Sequence, residues 1–172
     1  MKALTLAATT LGCLAIALSL RPGDHSGPVI NLTPSVPIGL YLRYPAAPQK
    51  GNFVLVRPPI HVRQLARGRG YLRVGRLMLK FVAAGPGDAV CRLGSRVWTP
   101  GHGWLWASRT DASNRRLPRW HGCRRLRATE LFVIGTHSAS FDSRYFGPVD
   151  RESVLSVVYL AITLPLSHSS PR

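Results

Sequence analysis

The chain has 172 residues, 45% of them apolar, with 23 Lys and Arg against 7 Asp and Glu and a formal net charge of +16. That length suits one domain with a short appendage, and the apolar content excludes a disordered chain. Seven acids cannot furnish clustered oxygen ligands for calcium, and no repeat or heptad run points to a solenoid or coiled coil.

Ala3 to Leu20 is an uncharged stretch of 18 residues, about 27 Å of helix at roughly 1.5 Å per residue. It is followed by Arg21-Pro22-Gly23-Asp24 and not by a small-x-small cleavage pattern. Residues 1–22 therefore read as an uncleaved transmembrane anchor, with a cleaved secretory signal as the competing reading. Cys13 sits within the apolar run and reads as a small helix residue. Lys2 before the anchor favours a cytoplasmic N-terminus and an exported body, 23–172.

Prolines at 28, 34, 37, 45, 48, 58 and 59 preclude a long helix over that stretch. Phe53–Val56, Leu77–Val82, Ala89–Cys91, Leu131–Ile134 and Val154–Leu164 are apolar, largely β-branched runs bounded by Gly or Pro turns, and they predict strands. Arg92–Leu126, rich in Trp, Gly and Arg, reads as loop or hairpin. The body is thus predicted to be mainly β, with little helix beyond the anchor. Cys91 and Cys123 form an even pair in an exported body, and a disulfide is expected. The six histidines are dispersed without an i, i+4 pair, so no zinc site is expected.

Lys80 is the unusual residue. Arg supplies 20 of the 23 cations, yet a Lys stands inside an apolar strand, on the face of Met78 and Val82. Arg there would carry charge permanently, whereas a desolvated Lys can lose its proton and act as a general base. The competing reading is a Lys snorkelling from an edge strand. A nucleophile is available in Ser35, held between Pro34 and Pro37 in a stiff loop, with Thr33 two residues earlier able to aim its hydroxyl at an oxyanion beside the Ser35 N–H. A general base must reach the proton it takes, so the Ser35 hydroxyl is expected within hydrogen-bond reach of the Lys80 amine.

Three blocks in order carry a family likeness: Asn31-x-Thr33-x-Ser35-x-Pro37-x-Gly39-Leu40-Tyr41, Lys80 to Asp88 ending in Gly85-Pro86-Gly87-Asp88, and Ser140-Phe141-Asp142-Ser143-Arg144-Tyr145-Phe146-Gly147. The chain resembles the signal peptidase family of Ser-Lys serine proteases, most closely its conjugative-transfer branch, the TraF peptidases. Arg69-Gly70-Tyr71 and Leu117-Pro118-x-Trp120-x-Gly122-Cys123 fit that branch.

The resemblance implies a coiled, mostly antiparallel β domain behind one N-terminal transmembrane helix. It implies Ser35 as nucleophile, Lys80 as base, Thr33 and the Ser35 N–H as oxyanion hole, Ser140 as the residue orienting the lysine, and Asp142–Arg144 as a supporting ion pair, with no metal or cofactor needed. Gly135-Thr136-His137 replaces the Gly-Asp-Asn of general leader peptidases, and Gly51-Asn52 replaces a Gly-Asp found in many relatives. The implied function is maturation of an exported conjugation protein, a pilin-like precursor, at the bacterial inner membrane with the catalytic domain in the periplasm. The alternatives are a general type I signal peptidase, and a basic membrane-tethered adaptor that binds DNA or anionic lipid. Under the peptidase reading no nucleic-acid partner is expected, and Lys80→Arg separates the classes because phosphate contacts need only charge.

Overall fold

The structure, a computed structural model, describes residues 27–72 and 77–165. The anchor expected at 1–22 lies outside them, and among the described residues no helix is long and apolar enough to cross a membrane.

The strands are β1 (Val29–Asn31), β2 (Gly39–Tyr44), β3 (Phe53–Val56), β4 (Met78–Ala84), β5 (Ala89–Leu93), β6 (Arg96–Thr99), β7 (Gly103–Trp106), β8 (Gly122–Arg125), β9 (Glu130–Ile134), β10 (Val149–Asp150) and β11 (Val154–Thr163). Two helices interrupt them, α1 (Ile60–Gly68) and α2 (Ser143–Phe146). Seven strands form one antiparallel sheet in the order β1-β2-β11-β3-β4-β9-β10, and four form a second in the order β7-β6-β5-β8. Register shifts in β11 at Val154/Ser156 and Leu160/Ile162, and in β4 against β9 at Val82/Ala84, bend the larger sheet into a curl. At the β11 shift Gly39 is required for space: a Cβ there would collide with the Ile162 carbonyl.

All five strands expected from the apolar runs form, and the fold is mainly β as expected. The Arg92–Leu126 stretch resolves into the β6–β7 hairpin, a loop closed by the Thr110–Arg116 bridge, and β8. Helix α1 is one of two short α-helices among the described residues, in keeping with the expectation of little helix in the body, though no apolar run predicted its place. It starts directly after Pro59 and buries only Val62 and Ala66, so its apolar stripe is too thin to register as a period in the sequence.

Residues at alternate positions feed different cores, as strand pleat demands. Val54, Val56, Met78, Val82, Leu131, Val133 and Val157 pack together with Val62 of α1 and Phe146 of α2. Leu55, Leu79, Tyr41, Val158 and Val36 form a separate cluster. A third joins the two sheets through Val90, Val97, Leu126, Phe132, Ile134 and Tyr145. Each fully buried valine of this kind contributes roughly 1.5–3 kcal/mol against exposure. The turn Gly85–Asp88, closed by an Asp88 carboxylate that accepts the Gly85 N–H at 3.1 Å, carries the chain from the larger sheet to the smaller.

Cys91 and Cys123 face each other across the β5–β8 pair, with Cα atoms 4.0 Å apart, and are joined by a disulfide.

Candidate active site

Site geometry begins with Asn31, at the end of β1 and buried. Its amide nitrogen donates to the carbonyls of Thr33 at 2.8 Å, Val36 at 3.1 Å and Pro37 at 3.1 Å. Its carbonyl oxygen accepts from the Thr33 N–H at 3.2 Å and the Thr33 hydroxyl at 2.8 Å. The Thr33–Pro37 loop is therefore wrapped around one side chain. Val36, 1% exposed, pins the loop into the core, and the Tyr41 hydroxyl donates to the Pro37 carbonyl at 2.7 Å. Asn31 opened the first sequence block, but its role as hub was not legible there, because it depends on the loop closing back over it.

Ser35 Oγ lies 3.1 Å from Thr33 Oγ1. The Thr33 hydroxyl has one proton, and Asn31 Oδ1 can only accept it, so Ser35 is the donor in this pair. In this arrangement the Thr33 hydroxyl is engaged and does not point a proton at an incoming carbonyl.

Lys80 sits in β4, opposite Val54 of β3, and is 5% exposed. This excludes the snorkelling alternative. Its Nζ donates to Ser140 Oγ at 2.6 Å, across 60 residues of sequence. Burial depresses the amine from its usual 10.5 to about 8; the Asp142 carboxylate partly opposes this and the Arg144 guanidinium assists it.

Ser140 is in turn held from behind. Asp142 caps α2, accepting the Arg144 N–H at 3.1 Å, and takes the Gly135 N–H on its other oxygen at 2.8 Å. Arg144 pairs with Asp142 at 2.7 Å, both fully or nearly buried, and donates to the carbonyls of His137, Ser138 and Ser140 at 3.1 to 3.2 Å. The ion pair thus fastens the loop that carries Ser140. Beneath it Arg92, 1% exposed, donates to the Arg144 carbonyl.

The two halves of the site meet at Gly135 and Thr136. The Thr136 N–H donates to the Ser35 carbonyl at 2.7 Å. A Cβ on Gly135 would collide with the Ser140 side chain and come within 2.7 Å of the Ser35 carbonyl oxygen. Only glycine lets the end of β9 lie between the serine loop and the Ser140 loop. Thr136 stands where general leader peptidases carry a carboxylate, and here it contributes backbone, not charge.

Ser35, Thr33, Lys80 and Ser140 all line one groove of about 1000 Å³. The structure departs from expectation at one contact: no hydrogen bond joins Ser35 to Lys80. The serine hydroxyl rests on Thr33 and the amine on Ser140. The remaining wall includes Gly70, Tyr71 and Leu72, with the Tyr71 ring tilted against Phe141 at 5.0 Å between centroids and its hydroxyl donating to Asp111. Arg69 and Arg115 tie the same two segments together through backbone carbonyls. The Arg69-Gly70-Tyr71 motif is thereby placed at the groove. Among the described residues, no group of three or more His, Cys, Asp or Glu side chains is arranged to hold a metal ion.

Comparison with known proteins agrees with this geometry. The chain is 35% identical over 150 residues to a plasmid transfer protein TraF of Escherichia coli, covering 80% of this chain and 84% of the relative. A second Escherichia coli plasmid transfer protein TraF is 35% identical over 159 residues, covering 86% and 89%. A conjugal transfer protein TraF of Agrobacterium fabrum is 34% identical over 141 residues, covering 74% and 78%. The profile of the signal peptidase family, peptidase S26, matches residues 2–162, and the chain belongs to that family.

Proposed function

We propose that the protein is a serine endopeptidase with a Ser35–Lys80 dyad, which processes an exported, pilin-like precursor in conjugative transfer at the bacterial inner membrane. The observation that carries this reading is Lys80: a buried amine, depressed to about 8, in the same groove as a serine on a constrained loop. A lysine at the ordinary 10.5 would be neutral in only about one molecule in a thousand near pH 7.4, whereas at about 8 roughly a fifth is neutral.

The chemistry follows from the contacts. For attack the Ser35 hydroxyl leaves Thr33 for the neutral amine, which removes its proton as the oxygen attacks the scissile carbonyl. Loss of the Ser35 bond frees Thr33 to reorient its proton from Asn31 toward the oxyanion, beside the Ser35 N–H. The ammonium then protonates the leaving amine, and the neutral Lys80 activates a water against the acyl-enzyme. Ser140 keeps the amine in register throughout by accepting one N–H.

The substrate lies extended. β1 pairs only with β2, and β4 pairs with β9 only from Phe81 onward. The outer edge of Val29–Asn31 and the edge of Met78–Lys80 thus face the groove with backbone groups available to a peptide strand. Conjugative transfer is the process that the relatives' names carry, and their similarity runs over most of both chains.

The test is cleavage of the cognate precursor in cells. Ser35→Ala and Lys80→Arg should each abolish processing with the fold retained, and the wild-type rate should rise about tenfold per pH unit below about 8 and then level off. Processing by Lys80→Arg at the normal rate would overturn the dyad.

A further inference from the structure

Arg69-Gly70-Tyr71 joins the groove to the smaller sheet. Helix α1 ends there: the Gly70 N–H donates to the Arg67 carbonyl at 3.1 Å, and the Tyr71 and Leu72 N–H groups to the Ala66 carbonyl at 2.9 and 3.2 Å. Gly70 has a φ of 73°, a left-handed turn that glycine adopts without strain, and it carries Tyr71 from the helix end into the groove wall. The half-buried Tyr71 ring lies against Phe141, 5.0 Å between centroids. Phe141 also lines the groove and directly follows Ser140, whose Oγ is 2.6 Å from Lys80 Nζ. Tyr71 therefore touches the residue next to the serine that holds the amine.

The far end of the Tyr71 ring leaves the groove. Its hydroxyl donates to Asp111, which lies in the connection between β7 and β8 and is not part of the groove lining. Asp111 is built to hold it. One carboxylate oxygen accepts the Ser113 N–H at 3.0 Å and the Arg115 N–H at 2.9 Å, and the other accepts the Tyr71 hydroxyl and the Arg115 Nε–H at 2.8 Å. These donors, the Tyr71 hydroxyl foremost, hold the carboxyl well below the usual carboxylate range, so it stays charged. The Thr110–Arg116 bridge closes the loop around it. Two more ties join the same segments: Arg69 Nη1 donates to the Arg116 carbonyl at 2.7 Å, and the Arg115 guanidinium carbon lies 5.9 Å from the Tyr71 ring centroid.

A tilted contact with Phe141 alone would let the ring slide, whereas a hydrogen bond to a charged, fully engaged carboxylate fixes its far end. Leu72, Leu77 and Phe141 make the adjoining wall apolar.

We propose that Asp111 is a positioning residue for the groove: it fixes the Tyr71 ring as the wall on which an apolar side chain of the bound peptide rests, beside the Ser140–Lys80 pair. A loop of the smaller sheet thereby sets substrate affinity from outside the groove. This deepens the peptidase reading, from which it takes the bound peptide.

A fluorescein-labelled peptide spanning the processed junction of the cognate precursor is titrated by anisotropy against the full chain carrying Ser35→Ala. Adding Tyr71→Phe or Asp111→Ala should each weaken binding about tenfold, the effect of one hydrogen bond to a charged group. The two together should weaken it no further than either alone. Asp150→Ala, an equal charge change at an exposed residue of β10, should leave binding unchanged. In the protein with Ser35 intact, Tyr71→Phe and Asp111→Ala should raise KM and leave kcat unchanged, whereas a merely structural loop would lower the unfolding midpoint and leave KM alone. A substrate-free readout is carbon NMR of ring-labelled tyrosines, with the Tyr71 signal identified by its loss in Tyr71→Phe. Burial and the Asp111 carboxylate raise its phenol above the usual 10, and Asp111→Ala should lower it. Normal binding by either single variant, losses that multiply in the double variant, or a Tyr71 titration indifferent to Asp111→Ala overturns the proposal, and a peptide that does not bind the Ser35→Ala chain at all defeats it together with the peptidase reading. If the losses are coupled but Ser35→Ala still processes precursor, the dyad fails and the Asp111 role stands; if processing needs Ser35 but the losses multiply, the dyad stands and the Asp111 role fails.

Discussion

Replacing Lys80 by Met should inactivate the protein and stabilise it, and the stabilisation should depend on pH. The amine falls from 10.5 in the unfolded chain to about 8 in the fold, chiefly through burial. That shift of about 2.5 units corresponds to roughly 3 kcal/mol at 1.36 kcal/mol per unit. Below pH 8 both states hold the proton, and the fold carries the whole penalty of a buried ammonium. Between pH 8 and 10.5 the unfolded chain binds more protons than the folded one, so wild-type stability climbs with pH; above 10.5 the penalty is gone. Met matches the length and apolar stem of Lys without the charge, and Met78 and Val82 lie on its side of the strand. The variant loses the hydrogen bond to Ser140, which costs about 1 kcal/mol, so a net gain of about 2 kcal/mol is expected at pH 7. Denaturant unfolding of the full chain at pH 7 and pH 10 measures it, with the difference between the two proteins shrinking at the higher pH. A Met variant less stable than wild type at pH 7, or a difference that does not change with pH, would refute a buried amine near 8.

Gly135→Ala should reduce processing at least a hundredfold, because its Cβ forces the Ser140 side chain and the Ser35 carbonyl apart; near-normal turnover would show that the two loops need not meet. Asn31→Ala should leave five hydrogen bonds of the serine loop unmade and cost about 2–4 kcal/mol, with Asn31→Asp recovering only the accepted bonds, as thermal unfolding of each variant would reveal. Cys91→Ser with Cys123→Ser opens a loop of 32 residues and should cost roughly 3–4 kcal/mol by the chain-entropy relation. Their midpoints in urea, with and without reductant, test this, and an equal midpoint for wild type and double variant would contradict it.

Local chemistry wrote much of this fold into the chain. The runs Phe53–Val56 and Leu131–Ile134 are apolar, mostly β-branched or aromatic, and are soon stopped by Pro58 and Gly135, so their strand character requires no knowledge of their partners. The same holds for the three ordered blocks around Ser35, Lys80 and Ser140, and for the isolation of one Lys among arginines, which marks a position where charge alone would not suffice. Helix α1 escaped because only Val62 and Ala66 face the core and no acid marks its first turn. What tertiary structure alone decided is which groups touch. Lys80 and Ser140 stand 60 residues apart and meet at 2.6 Å only because β4 and β9 pair and the Asp142–Arg144 pair folds the following loop back. The resting partner of Ser35 is Thr33 and not Lys80, because Asn31 takes the Thr33 proton and leaves that hydroxyl as an acceptor. Such contacts depend on distance in space, and sequence separation places no bound on them once a sheet has closed.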